Sequence, residues 1–328
     1  MAITAPPRIP VEQGPAPIHP KRRKHRHAVQ RGIGSGTTRT LLSDSELSHG
    51  RARFAYFSLL TLVTAVFVLV FVFPLYWMVA SAVKEPAEFA LSPPTIVPQT
   101  FEPHTYADAW TQMRIARYFG NTVLYATGGW LIQLAVAVTA AYALSKLRPV
   151  LGNMVLGLML ASLMLPAAAL LVPAYLTVSN VPLLGVNLLN TPWALWLPAA
   201  ANAFNIYILK RFFDQIPNEL IDSASVDGAG AVRILWNIVL PLSRPVLGVV
   251  SIFAIIGIWK DFLWPLVVLQ NTDVQTLSVA LSRLSNTSQV PPTEMMAGMV
   301  IASIPMIVLF LIFQRSIISG LSAGAVKG

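Results

Sequence analysis

Lys260 and Asp261 stand alone in an apolar stretch that carries no other charge between Arg244 and Asp273. Ionisable groups in a segment long enough to cross a membrane mark solute paths, proton relays or structural ion pairs. Lys260 lies 15 residues beyond Pro245, about 22 Å along a helix, toward the far half of a bilayer about 30 Å thick. Adjacent helical residues do not face each other, so each charge needs its own partner. For Asp261, solute contact and a salt bridge to a neighbouring span are both open. Trp259 and Trp264 flank the pair. Aromatic faces stack on sugar rings, but they also build interfacial belts beside snorkelling lysines. Asn202, Asn205, Tyr207 and Gln133 are further polar groups in apolar surroundings, where helix–helix hydrogen bonds explain such residues more often than ligands do.

The usual equipment of an enzyme is missing. There is no cysteine, hence no thiolate nucleophile or thiolate metal site. No Lys follows a Gly, so the chain has no phosphate-cradling G-x-x-x-x-G-K-[ST] loop, and no H-E-x-x-H occurs. All five His fall outside the apolar runs. Neither a catalytic residue nor a metal ligand is expected.

Acids gather instead in one polar segment, Phe213-Asp-Gln-Ile-Pro-Asn-Glu-Leu-Ile-Asp-Ser-Ala-Ser-Val-Asp-Gly228. Pro217 suits the first turn of a helix, Glu219 and Asp222 suit its positive end, and Gly228 tolerates the positive φ of a helix stop. A second short helix is expected over 230–239, ended by Pro241. Ile221, Ala224 and Ser225 give the first helix a face of small and apolar groups. That face either docks into a groove on another protein or packs as an amphipathic connector on its own bundle.

These residues need long apolar elements to hold them. Of 328 residues, 55% are hydrophobic and 11% charged, with mean hydropathy +0.63, far from the quarter or so of charged residues in a soluble domain. Apolar runs poor in charge place six spans at about 56–79, 121–144, 152–176, 192–210, 245–269 and 295–314. Pro166 and Pro173 mark the third as kinked. The fold class is an all-α membrane protein of six transmembrane helices, residues 54–328, behind a basic tail. Residues 1–53 hold ten Lys/Arg against three acids, a net +7 out of the chain's +9, and read as disordered. The run Lys21–His27 fits a nucleic-acid or address signal, or a tail drawn to anionic lipid head groups. The membrane character of the remainder favours lipids as partners and no nucleic acid. Proposed inner segments, tail included, carry eighteen Lys/Arg and outer loops four, which places both termini in the cytoplasm of a multi-pass plasma-membrane protein.

The polar segment resembles the cytoplasmic loop of permease subunits from bacterial ATP-binding-cassette importers. That family pattern is Glu-Ala-Ala, three residues, Gly, nine residues, Ile, one residue, Leu-Pro. Here it runs Asp222-Ser223-Ala224, Gly228, Ile238, Leu240-Pro241, with the spacing kept and two positions changed. Phe73-Pro-Leu-Tyr-Trp-Met-Val-Ala-Ser-Ala-Val-Lys-Glu-Pro-Ala-Glu88, Gly257-Ile-Trp-Lys-Asp-Phe-Leu-Trp-Pro-Leu266 and Gly320-Leu-Ser-Ala-Gly-Ala-Val-Lys-Gly328 are similar to the carbohydrate branch, and to its maltose-type second permease in particular. The family often has Asn where Lys260 stands.

The resemblance implies half of a pore for a sugar or oligosaccharide. A second permease subunit completes it, an ATPase dimer lies beneath, and an extracytoplasmic solute-binding protein lies above. It implies that Glu219, Asp222, Ser223, Ala224, Gly228, Ile238, Leu240 and Pro241 form the ATPase-coupling loop. It further implies that ATP and Mg belong to the ATPase with no cofactor on this chain; for the carboxyl end 320–328, a contact with the ATPase and a frayed terminus are both open. In the maltose type the sugar site lies mainly in the other permease, so Trp259, Lys260, Asp261, Trp264, Asn202 and Asn205 are candidates for the substrate path only. A permease for a polyol or phosphodiester, and a membrane scaffold without transport, are the alternatives; a scaffold gives no reason for the loop spacing.

Overall fold

The computed structural model describes residues 50–287 and 290–325; their regular elements are all helices, joined by turns and loops, with no strand among them. The basic run and most of the expected tail lie outside the described residues. The chain divides into two units, residues 1–63 and 64–328. The packing that follows is that of the second.

Helix α1 spans Gly50–Ala82, so helix begins a few residues inside the expected tail. It contains Pro74 and no acid, and its apolar side chains are exposed along most of its length. In water that would be unstable; in lipid it is the expected state of an unpartnered apolar helix. A short helix α2 (Pro86–Phe89) and α3 (Thr105–Gln112) follow in the polar stretch. Helix α4 (Ile115–Tyr142) continues as a π-helical turn over Ala143–Leu147. It is the centre of the bundle, packed by α7 (Trp193–Ala200), α8 (Ala203–Asp214) and α12 (Arg244–Lys260). Gly128 and Gly129 permit this approach, since Trp196 crosses directly over them.

Among the described residues three helices are long and apolar enough to cross a membrane: Arg53–Ala82, Ile115–Leu147 and Pro292–Gln314 within α15 (Pro292–Ala325). Two bent pairs raise the number to five if each pair is one span. The third expected span is no kinked helix. It is α5 (Gly152–Ser162) and α6 (Ala167–Ser179), turned by 110° across Leu163–Pro166. Pro166 precedes α6 with extended backbone, as a proline at a helix start permits. The fourth expected span is α7 and α8, interrupted at Ala201–Asn202. The fifth is α12 and the short α13 (Leu263–Val268), broken at Asp261–Phe262. Asp261 is therefore not a helical neighbour of Lys260: it follows the last turn, with φ −65 and ψ 129. Helix α14 (Leu277–Ser285) precedes α15.

The polar loop also departs from expectation. Pro217 caps α9 (Asn218–Val226) from outside, one position before its first residue. Pro241 ends nothing. The chain runs from α10 (Ala231–Ile234) through a π-helical turn, Leu235–Val239, into α11 (Leu240–Leu242), and Pro241 lies inside α11. The wider π turn makes room for a ring that would clash with the carbonyl four residues back. A bend of 85° at buried Ser243 then leads into α12.

Candidate functional site

Two regions collect the chemistry. The first is the loop between α8 and α12. Asp214, last in α8, pairs with Lys210 at 2.8 Å and accepts a 2.7 Å hydrogen bond from Ser145 Oγ. Burial pushes its carboxyl up, but these bonds outweigh that and hold it below the ordinary value of 3.8. Lys146 Nζ donates to Ile216 O at 2.7 Å and to Asn218 Oδ1 at 3.1 Å. The end of α4 thus clamps both sides of the turn that launches α9.

Helix α9 has no buried residue. Ile221 and Ala224 are half-buried and pack on a core of Phe213, Ile216, Ile234 and Leu235. The connector reading accounts for these two. Ser225 is exposed, its hydroxyl back-bonded to Ile221 O at 2.8 Å. The opposite face, Glu219, Asp222, Ser223 and Val226, is exposed, Val226 to 88%. These positions follow the i, i+3, i+4, i+7 spacing of one helix face. The helix closes in a Schellman turn: Gly228 N–H bonds Ser225 O at 3.0 Å and Ala229 N–H bonds Ala224 O at 2.9 Å. Gly228 takes φ +81, the left-handed value this turn requires. Ile238 and Leu240 are half-buried in the same core, whereas Pro241 is exposed.

The second region is the end of α12. Trp259 stacks edge-on against Phe119 at 5.8 Å. Trp259 and Lys260 line a cavity of about 560 Å³ with Thr122, Ser278, Ser282 and Ser285. The three serines recur along α14 at helical spacing and form a polar stripe on the cavity wall. No carboxylate among the described residues pairs with Lys260. Asp261 lines a different cavity, of about 540 Å³, together with Asn202 and Asn205. Asn202 Oδ1 caps α8 by accepting from Asn205 N–H at 3.0 Å. Trp264 Nε1 donates to Ala194 O at 2.9 Å, joining α13 to α7. The structure therefore gathers Asp261, Asn202 and Asn205, and sends Trp259 and Lys260 elsewhere. The carboxyl end is helical to Ala325; residues 326–328 lie outside the described residues. Gly320–Gly324 spells the nucleophile-elbow pattern G-x-S-x-G, but it lies in the run of α15 and not on a strand-to-helix turn.

A third cluster was not singled out by sequence. Glu88 is buried and accepts from Thr95 Oγ1 (2.6 Å), Gln99 N–H (2.9 Å), Thr100 N–H (2.9 Å) and Thr100 Oγ1 (2.7 Å). Led by Thr100 and Thr95, these bonds hold its carboxyl down to about 2. Buried Lys84 donates to Thr95 O and lies 4.6 Å from the Trp77 ring centroid.

A broken-helix bundle in an apolar chain, with an exposed acidic helix on a clamped loop, is the architecture of a membrane transport subunit. The family of binding-protein-dependent transport system inner membrane components matches residues 133–322, and the chain belongs to it. Protein LplC of Bacillus subtilis (strain 168) is 32% identical over 271 residues, 78% of this chain and 90% of that protein. The melibiose/raffinose/stachyose import permease protein MelC of the same organism is 28% identical over 281 residues, 84% of this chain and 99% of MelC. A chain in the crystal structure of a bacterial ABC transporter involved in the import of the acidic polysaccharide alginate shares the fold, with TM-score 0.72 and 21% identity over 81% of this chain and 98% of that one.

Proposed function

We propose that the chain is one of two permease subunits of an ABC importer, forms half of the pore for a sugar or oligosaccharide, and is driven by a separate ATPase dimer. The observation that carries the coupling role is the outward face Glu219–Asp222–Ser223–Val226 of α9. Its inner face is seated on the bundle, so a partner's push on the outer face reaches α8 and α12 instead of being lost in a floppy loop. ATP and Mg sit on that partner, and an extracytoplasmic binding protein delivers solute from the other side. The sugar assignment is supported by the named cargo of MelC. Spans are six, with α7 and α8 together as the fourth, and both termini are cytoplasmic by the distribution of Lys and Arg.

The loop is tested at Gly228. A Cβ there meets no atom within 4 Å, so a side chain brings backbone strain and no clash, worth about 1–2 kcal/mol for an ordinary residue in the left-handed region. Gly228→Val is expected to abolish ATP-driven uptake and ATPase co-purification while the chain still inserts into membrane. Gly228→Asn, which tolerates that φ, is expected to keep both. Normal uptake in the Val variant sinks the coupling role.

A further inference from the structure

Three interruptions of the bundle open onto one cavity. It has a volume of about 540 Å³ and is lined by Gln133 of α4, Ser162 at the α5–α6 break, Asn202 and Asn205 at the α7–α8 break, Gly257 of α12, and Asp261 at the α12–α13 break. Broken backbone within a membrane is sustained only where protein or a polar cavity serves the freed groups, and discontinuous helices commonly frame solute sites near the bilayer midplane. Here the side chains are also left wanting. Gln133 is 4% exposed; its Nε2 donates to Ala199 O at 2.9 Å, which fixes the amide orientation, and its Oε1 has no partner. Asn205 is 2% exposed and its Oδ1 has no partner. No Lys, Arg or His among the described residues forms an ion pair with Asp261.

Two acceptors are unmet, the amide oxygens of Gln133 and Asn205; beside them the Asp261 carboxylate accepts from the Phe262 and Trp264 backbone N–H groups and keeps further lone pairs for a ligand. Their ligand must bring hydrogen-bond donors. A volume of this size matches small-molecule sites and far exceeds the few ångströms of a bare metal ion's coordination sphere. Two of the three groups are neutral amides, which complement hydroxyls better than they complement a cation. We propose that this cavity is a binding subsite for a ring of an uncharged saccharide, with Gln133, Asn205 and Asp261 as its hydrogen-bonding groups. It places a solute site inside this chain, where the maltose-type resemblance puts the sugar mainly in the partner permease, and it rests on the permease reading above.

Gly257 offers a test that removes no bond. A Cβ on it meets nothing within 4 Å, so Gly257→Leu starts its side chain in open space at the cavity wall, and leucine favours helix over glycine. Gly248 on the same helix has equally open space and does not line the cavity, so Gly248→Leu is the matched control. The full chain is assembled with its second permease, ATPase and binding protein in proteoliposomes. ATP-dependent uptake of radiolabelled maltose, raffinose, glycerol 3-phosphate and putrescine is then followed beside ATP hydrolysis. Wild type is expected to accumulate a saccharide. Gly257→Leu and Asp261→Asn are expected to lower that uptake about tenfold or more and Gly248→Leu by less than about twofold, the scale expected when a site's polar groups lose their substrate partners, with hydrolysis retained throughout. Saccharide uptake at the wild-type rate in both cavity variants overturns the proposal, as does equal loss in Gly248→Leu. So does a wild-type complex that accumulates only glycerol 3-phosphate or only putrescine, though that result leaves the permease reading standing. A complex that moves none of the four solutes and hydrolyses no ATP sinks both.

Discussion

Glu88 shows how much one side chain can organise. Its two oxygens take four hydrogen bonds and tie residues 95–100 to the short helix after α1. Because its carboxyl is held at about 2 against an ordinary 4.5, the ionised form is favoured by folding. The stabilisation is fully present above the ordinary value and is lost as pH falls through about 2. Backbone amides of Gln99 and Thr100, corrected for intrinsic exchange, should stay protected in hydrogen-exchange measurements from pH 7 to below 4. Glu88→Gln should weaken that protection at every pH. Loss of protection already at pH 5 in wild type contradicts the arrangement. Sequence showed Glu88 only as the end of a family-like stretch and gave no hint of its role, because its partners are backbone N–H and threonine hydroxyl groups whose approach depends on the loop's path. Gly228 was legible for the opposite reason: a helix stop needs a positive φ, and glycine meets that need whatever surrounds it. Gln133 and Asn205 fall between the two. Their types were visible as polar groups in apolar runs, but which of their atoms lack partners follows only from the packing of four different helices.

At the scale of elements, the uncharged runs located the helical matter but not its direction. Hydropathy averages over a window and is blind to a turn within it, so the third span was expected to kink but not to turn by 110° at Leu163–Pro166, and the fifth, with its gap at Asp261–Phe262, read as continuous. Pro166 was a visible clue to the first. The second carries neither Gly nor Pro at the break itself. Close helix approach is more readable, since Gly128 and Gly129 sit side by side in an otherwise bulky helix. A Cβ on Gly128 would come within 2.6 Å of Trp196 Cε2, on the indole whose Nε1 donates to Tyr125 O at 3.0 Å. Gly128→Ala must therefore push the indole aside and strain that bond, at a cost of about 1–3 kcal/mol typical of overpacking. The expected result is a lower thermal midpoint for the purified chain in detergent. An unchanged midpoint would mean that α4 and α7 are looser than this contact implies.

For the molecule as a whole, charge is scarce enough to serve as a map. Outside the tail, proposed inner segments carry eight Lys/Arg and outer loops four, a bias of the kind that sets orientation. A topology reporter fused after Asn286 is expected to work outside the cell and one fused after Gly228 inside; the reverse pattern refutes the assigned orientation. With that orientation the 85° bend at Ser243 acquires a mechanical meaning. It joins the loop segment to α12, whose 17 residues end at Lys260, an arm of about 25 Å at 1.5 Å per residue. If the elbow stays stiff, a tilt of about ten degrees imposed on the loop sweeps the far tip by about 4 Å, arm length times angle. That is wider than a water molecule. Asp261 and Gly257 ride on that tip beside one cavity and Lys260 beside the other, so on the proposed coupling one small rotation at the loop reaches both chambers through a single helix.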